Sequence, residues 1–146
     1  DGSLYTPEVF PVFNAYFDEG RYYGFPVYGI PGFKVGRYHH LEEVIDPDCA
    51  IKAVTGEDEA VLRSAVEKYF PKANGTTMTL KTCMFTNTPD EHFIVDLLPA
   101  NSQVAVAAGF SGHGFKFASV IGEILADLAI NGETEHNIDL LKIDRF

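Results

Sequence analysis

A chain of 146 residues that is 46% hydrophobic and 22% charged can bury one core, and it is neither disordered nor a coiled coil. Its net charge of -10 argues against a nucleic-acid or anionic-membrane partner. No apolar run reaches the roughly 20 residues of a membrane span, since the longest candidate, 121–130, is interrupted by Glu123 and Asp127.

Two cysteines suggest a reducing, cytoplasmic setting without a disulfide framework, and the N-terminus lacks a basic stretch followed by an apolar one. The chain opens on Asp1 without a methionine, and residues 1–7 carry no element signal, as expected of a piece cut from a longer protein. Residues 9–17 are aromatic and apolar enough for a strand. Asp18-Glu19-Gly20 signals a turn and residues 21–25 resume the extended pattern, so a hairpin is expected. A loop at 29–32 leads to a strand at 33–39, and Asp46-Pro47-Asp48 breaks the chain.

Residues 57–70 carry a helical pattern: Leu62, Val66 and Tyr69 fall on one face, widened by Val61, Ala65 and Phe70. Thr55 and Asp58 have capping-box spacing, and Pro71 stops the helix. After a turn at Asn74-Gly75, residues 77–86 and 92–98 read as antiparallel strands joined by the Thr88-Pro89-Asp90 corner. A short strand is expected at 103–108, a helix at 115–130 stopped by Asn131-Gly132, and a last strand at 138–143. Strands dominate the first part and a strand–turn–helix closes the chain, an α+β pattern.

Gly109-Phe110-Ser111-Gly112-His113-Gly114-Phe115-Lys116-Phe117 joins an apolar strand to a helix. Glycines there let backbone approach a ligand closely, and the N–H groups of the helix start favour an anion. Lys116 in the first turn is unfavourable to the helix dipole and is best explained by an anion that it meets. A plain strand-to-helix connection with a surface lysine explains the pattern about equally well, and it is not the dinucleotide fingerprint GxGxxG. Cys83 by itself reads as a small strand residue, and Cys49 has no supporting context. Alternation puts Phe33, Val35 and Arg37 on one strand face and Lys34, Gly36 and Tyr38 on the other. His39 and His40 invite a metal, but neither HxxxH nor CxxC spacing is present, so no metal site is assigned. Ser111 is not in a nucleophile elbow.

Taken in order, Tyr22-Tyr23-Gly24-Phe25-Pro26, Gly32-Phe33-Lys34-Val35-Gly36, Thr82-Cys83-Met84-Phe85-Thr86, the glycine turn and Thr134-Glu135-His136 resemble the C-terminal part of the monomeric sarcosine oxidase family. That family includes N-methyltryptophan and pipecolate oxidases. The resemblance implies an FAD-dependent oxidation of the CH–NH group of a secondary amino acid, N-methyl or cyclic, with O₂ reduced to hydrogen peroxide and an imine released. Residue by residue, it implies that Cys83 tethers FAD covalently and that Met84 lies beside it. Gly112, His113 and Gly114 match the turn against the flavin, and Lys116 matches the lysine that pairs with the substrate carboxylate. Lys34 matches the lysine over the flavin face where oxygen is reduced. Tyr23 and His39 match the active-site tyrosine and histidine, although Arg37 is an extra residue ahead of that step. Phe85 stands where sarcosine oxidase has a tyrosine, which weakens sarcosine as the preferred substrate.

The implied organisation is a substrate-domain portion at 1–98, mostly antiparallel sheet with a flanking helix. It is followed at 99–146 by the last strand–glycine turn–helix of an FAD-binding domain. The N-terminal Rossmann half of that domain, with its GxGxxG, has no counterpart here, so the chain alone is expected to lack FAD, to be inactive and to self-associate through surfaces that half covers. An FAD-dependent dehydrogenase and a non-catalytic module of the same fold are the alternatives.

Overall fold

The computed structural model describes residues 2–49 and 53–146; the expectation for Asp1 and the sequence context of Cys49 at Ala50 lie outside the described residues. The elements are β1 (Phe13–Phe17), β2 (Gly20–Phe25), β3 (Lys34–Arg37), α1 (Gly56–Tyr69), β4 (Ile94–Leu98), β5 (Asn101–Ala108) and α2 (Ala118–Asn131). The architecture is α+β, with two separate antiparallel sheets ordered β1-β2-β3 and β4-β5. The chain divides into two compact units, Asp1–Cys83 and Met84–Phe146. No helix among the described residues is long and apolar enough to cross a membrane.

In the first unit the expected hairpin forms, with Phe17 opposite Gly20 across the Asp18-Glu19 link. Strand β1 starts only at Phe13 rather than at residue 9: Val9 and Phe10 N–H both turn back onto the Thr6 carbonyl, and Pro11 has no N–H to give a ladder. A 3-10 turn, Gly2–Tyr5, occupies part of the stretch expected to be featureless. Pairing of β2 with β3 sets Gly24 against Val35 and Tyr23 against Gly36, so successive side chains go to opposite faces.

One face is covered by an aromatic cluster. Phe13, Phe33 and Phe70 stand 5.0 to 6.0 Å apart by ring centroid, and Phe17 stacks on Tyr69 of α1 at 3.7 Å. Ala65 and Val66 are the residues α1 buries most fully. Its start is the anticipated capping box: Thr55 Oγ1 accepts from the Asp58 N–H, and Asp58 Oδ2 accepts from the Thr55 N–H at 2.7 Å.

Residues 77–86 do not form the expected strand. They run without regular structure and mostly exposed, because no neighbouring strand takes up their backbone groups. The expected pairing of 77–86 with 92–98 is likewise replaced. In the second unit β4 pairs instead with β5, through the tight Pro99-Ala100 link. Phe93, Val95, Ile121, Ile124, Leu128 and Ile138 form the core beneath this hairpin. The expected strand at 138–143 is a 3-10 turn, Asp139–Leu141, opened by the Asn137 side chain accepting from Asp139 N–H. Ile138 and Leu141, three residues apart, then both reach the core, a helical spacing that an extended chain would split between faces. Helix α2 ends as anticipated, on Gly132 at φ 77.

Candidate functional site

The first unit carries its chemistry on the sheet face away from the aromatic cluster. Here Lys34 and Gly36 of β3 share a face with Tyr23 and Phe25 of β2. Lys34 Nζ lies 5.9 Å from the Tyr23 ring centroid and 5.1 Å from that of Phe25. Tyr23 lies 5.2 Å from Tyr38, whose ring in turn receives the Arg21 guanidinium at 4.2 Å. Arg21 is held from its other side by Asn14 Oδ1, which accepts from Nε at 3.0 Å. The result is a pair of rings, Tyr23 and Tyr38, flanked by the cations Lys34 and Arg21, each set against an electron-rich ring. Burial pushes the Tyr23 phenol above its ordinary pKa, and the charges of Cys83 and Tyr38 nearby push it the same way.

Gly36 is required by this arrangement: a Cβ there would stand 2.4 Å from the Tyr23 ring and 2.6 Å from its hydroxyl. His39 does not extend β3, as residues 33–39 had suggested. The strand ends at Arg37, and His39 is exposed in the left-handed region at φ 48, where it leads into the 3-10 turn His40–Glu42. Cys83 is an exposed free thiol at the end of the unpaired stretch, not on a strand.

The second unit carries an open hollow of about 570 Å³. Its walls are Met84, Phe85 and Thr86 on one side and the stretch from Ala107 to Phe115 on the other, so Gly112, His113 and Gly114 all line it. The volume is in the range of small-molecule sites. The turn is held from beneath. Ser111, 4% exposed, donates its N–H to the Thr86 carbonyl at 3.1 Å and its Oγ to the Gly109 carbonyl at 3.1 Å. The His113 ring packs 4.9 Å from that of Phe93, and its Nε2 is 3.1 Å from the Glu91 carbonyl.

Lys116 differs in place from the expectation. The helix expected at 115–130 starts as the 3-10 turn Phe115–Phe117, and α2 proper begins at Ala118, so Lys116 precedes the α-helix rather than sitting in its first turn. Its Nζ lies 5.2 Å from the Phe117 ring, and the side chain is exposed. Among the described residues no cluster of three or more His, Cys, Asp or Glu side chains could hold a metal.

Nothing in the residue pattern gave Arg21, Tyr38, Thr88 or Ser111 a role at a site. Thr88-Pro89-Asp90 did carry a signal as a corner, but its partner, Ser111, is 23 residues away. The hollow itself suits a flavin ring. It has backbone-rich walls at the glycine turn, aromatic rings at Phe85, Phe110 and Phe115, and an open side through which a flat group can enter.

Residues 3–128 match the family model described as FAD dependent oxidoreductase. The chain is 51% identical over 138 residues to the monomeric sarcosine oxidase of Bacillus sp. (strain NS-129), covering 93% of this chain and 35% of that protein. It is 34% identical over 152 residues to the N-methyl-L-tryptophan oxidase of Citrobacter koseri, covering 100% of this chain and 39% of that one. Among solved structures it resembles NikD, an unusual amino acid oxidase essential for nikkomycin biosynthesis. The TM-score there is 0.64 at 21% identity, over 90% of this chain and 37% of that one, a likeness of fold. The chain thus spans between 35% and 39% of the length of these curated relatives.

Proposed function

We propose that this chain, which belongs to the FAD dependent oxidoreductase family, supplies part of the catalytic machinery of an oxidase for a secondary amino acid, N-methyl or cyclic, such as sarcosine. The observation that carries the reading is the glycine-lined hollow in residues 84–146, led into along the chain by the exposed Cys83 thiol. When bound, FAD supplies the acceptor for a hydride equivalent from the substrate C–H bond and hands electrons to O₂, with imine and hydrogen peroxide as products.

The chain's own residues do the rest. The Lys116 ammonium pairs with the substrate carboxylate and so aims the reacting bond. The Lys34 ammonium, set against the Tyr23 and Phe25 rings, stabilises the negative charge that develops as oxygen is reduced. Tyr23 and His39 act on the substrate side. Cys83 would be the residue that tethers FAD, and Met84, Gly112, His113 and Gly114, which line the hollow, would hold it. Phe85 offers no hydroxyl to the pocket, which weakens sarcosine as the preferred substrate.

The 146-residue chain alone is inactive and flavin-free in this reading, because its residues include no GxGxxG to cradle an adenosine diphosphate. A net charge of -10 supports a small-molecule partner rather than nucleic acid or an anionic membrane, and two exposed free thiols suit the cytoplasm. Val12 at 61% exposure, Tyr28 at 81% and Ile30 at 74% make self-association of the isolated chain expected.

A panel of N-methyl and cyclic amino acids, assayed for peroxide with the protein translated from the whole reading frame, tests the activity. Turnover with at least one member, abolished in Lys116→Met mainly through a raised KM, supports it. No peroxide with any member refutes it. Lys34→Met then separates oxidase from dehydrogenase, because reoxidation by O₂ is expected to slow more than reduction by substrate.

A further inference from the structure

Arg145 lies 55 residues from Asp90 in sequence, yet its guanidinium grips that carboxylate with both arms: Nε donates to Oδ2 at 2.8 Å and Nη2 to Oδ1 at 3.0 Å. Two of the other three donors are used as well, Nη2 to the His92 carbonyl and Nη1 to the Lys142 carbonyl, each at 2.8 Å. A bidentate pair of this kind fixes orientation as well as distance. The grip does not end at Asp90. The Thr88 hydroxyl is 2.7 Å from the same His92 carbonyl and 3.1 Å from Asp90 Oδ1, and Asp90 Oδ1 also accepts from the His92 N–H.

Thr88, itself buried, touches the glycine turn in two ways. Its N–H donates to Ser111 Oγ at 3.4 Å, and its methyl fills the place that a Cβ on Gly109 would take, 2.3 Å from that point. The same corner reaches the turn a second time, where the Glu91 carbonyl meets His113 Nε2. Two non-glycine residues here are in the left-handed backbone region, Glu91 at φ 58 in the corner and Ser111 at φ 46 in the turn. Such conformations are strained for a residue with a Cβ and persist only where the surroundings over-determine them. Gly109, Ser111 and His113, the residues the corner touches, all line the hollow, as does Thr86, whose carbonyl accepts from the Ser111 N–H.

We infer that Asp90 and Arg145 are positioning residues for the ligand in the hollow: acting through Thr88, they hold residues 109–114 in the strained conformation that shapes it. This rests on the flavin reading above. The Arg145 guanidinium also keeps the Asp90 carboxyl well below the ordinary carboxylate range, so the grip stays charged throughout the neutral region.

Amide hydrogen exchange on the 146-residue chain, followed residue by residue in Asp90→Asn, Arg145→Gln and Arg145→Lys, reads the clamp without any flavin. The expected result is exchange about tenfold faster at residues 109–116 in the first two variants, with Val95, Ala107 and Ile124 unchanged and Arg145→Lys in between. Unchanged exchange at the turn overturns the proposal, and so does a uniform rise across β4, β5 and α2, which marks a purely structural pair. Flavin content per chain in the protein from the whole reading frame is the second readout. Lower content in Asp90→Asn and Arg145→Gln, partly rescued in Arg145→Lys, is expected. Full content with a loosened turn overturns the positioning role. A wild-type protein without flavin sinks the flavin reading and with it the role toward that ligand, while the exchange data still decide whether the clamp holds the turn.

Discussion

His40 Nε2 lies 2.7 Å from Asp58 Oδ1, while the other oxygen of the same carboxylate accepts from the N–H and the hydroxyl of Thr55 at 2.7 and 2.9 Å. One carboxylate therefore both caps α1 and fastens the turn that follows β3. Thr55→Ala should cost about 1 kcal/mol of stability, in line with other lost N-caps. Denaturant titration of the chain measures it, and a cost near zero would mean the cap contributes nothing.

The pH response of that cap follows from its sign. The Thr55 N–H, and after it the His40 ring, hold the Asp58 carboxyl below its ordinary pKa. A depressed folded value gives stabilisation that is present above the unfolded range, about pH 4, and is lost as pH falls through the folded value. Asp58→Asn should therefore flatten the acid limb of the stability profile. A variant whose acid limb matches wild type would contradict this.

Glu19, at the tip of the β1–β2 hairpin, takes Lys68 Nζ at 2.5 Å and the Tyr69 hydroxyl at 2.8 Å. The Lys68 bond, followed by that of Tyr69, brings its pKa down to about 2. The pairing should contribute above about pH 4 and fade between there and about pH 2. Carboxyl chemical shifts read the midpoint directly. A Glu19 midpoint in the ordinary glutamate range would show that the contact does not persist in solution.

Gly36→Ala places a methyl group where the Tyr23 ring now lies. Tyr23 must leave its place over Gly36, with the aromatic cluster on the opposite face untouched. If Tyr23 acts on substrate, turnover in the whole protein should fall about 100-fold, as for a misplacement near 1 Å, with the melting transition little changed. Retained turnover with a displaced ring would remove Tyr23 from the reaction.

Cys49 and Cys83 are both exposed free thiols. A thiol reagent should therefore titrate two groups in the native 146-residue chain. A single reactive thiol, together with yellow colour that survives acid precipitation, would show that Cys83 already carries flavin.

Short-range features were legible in the residues. Thr55 and Asp58, three apart, announce the start of α1, and Asn131-Gly132 announces the end of α2, because caps act within one turn. Asp18-Glu19-Gly20 between aromatic runs foretold the hairpin for the same reason. The resemblance carried by the ordered segments from Tyr22 to His136 pointed to the monomeric sarcosine oxidases that the chain is similar to, and agrees with the FAD dependent oxidoreductase model that residues 3–128 match.

Misreadings arose where a strand needs a distant partner. Residues 77–86 read as a strand, but a strand-like run says nothing about whether an edge is available, and β4 took β5 instead. The same limit hid the bracing of the turn: Thr88 finds Ser111 at 23 residues' distance and Asp90 finds Arg145 at 55. Local propensity and capping are written in neighbouring side chains. Strand partners and charge clamps depend on which surfaces the folded backbone brings together.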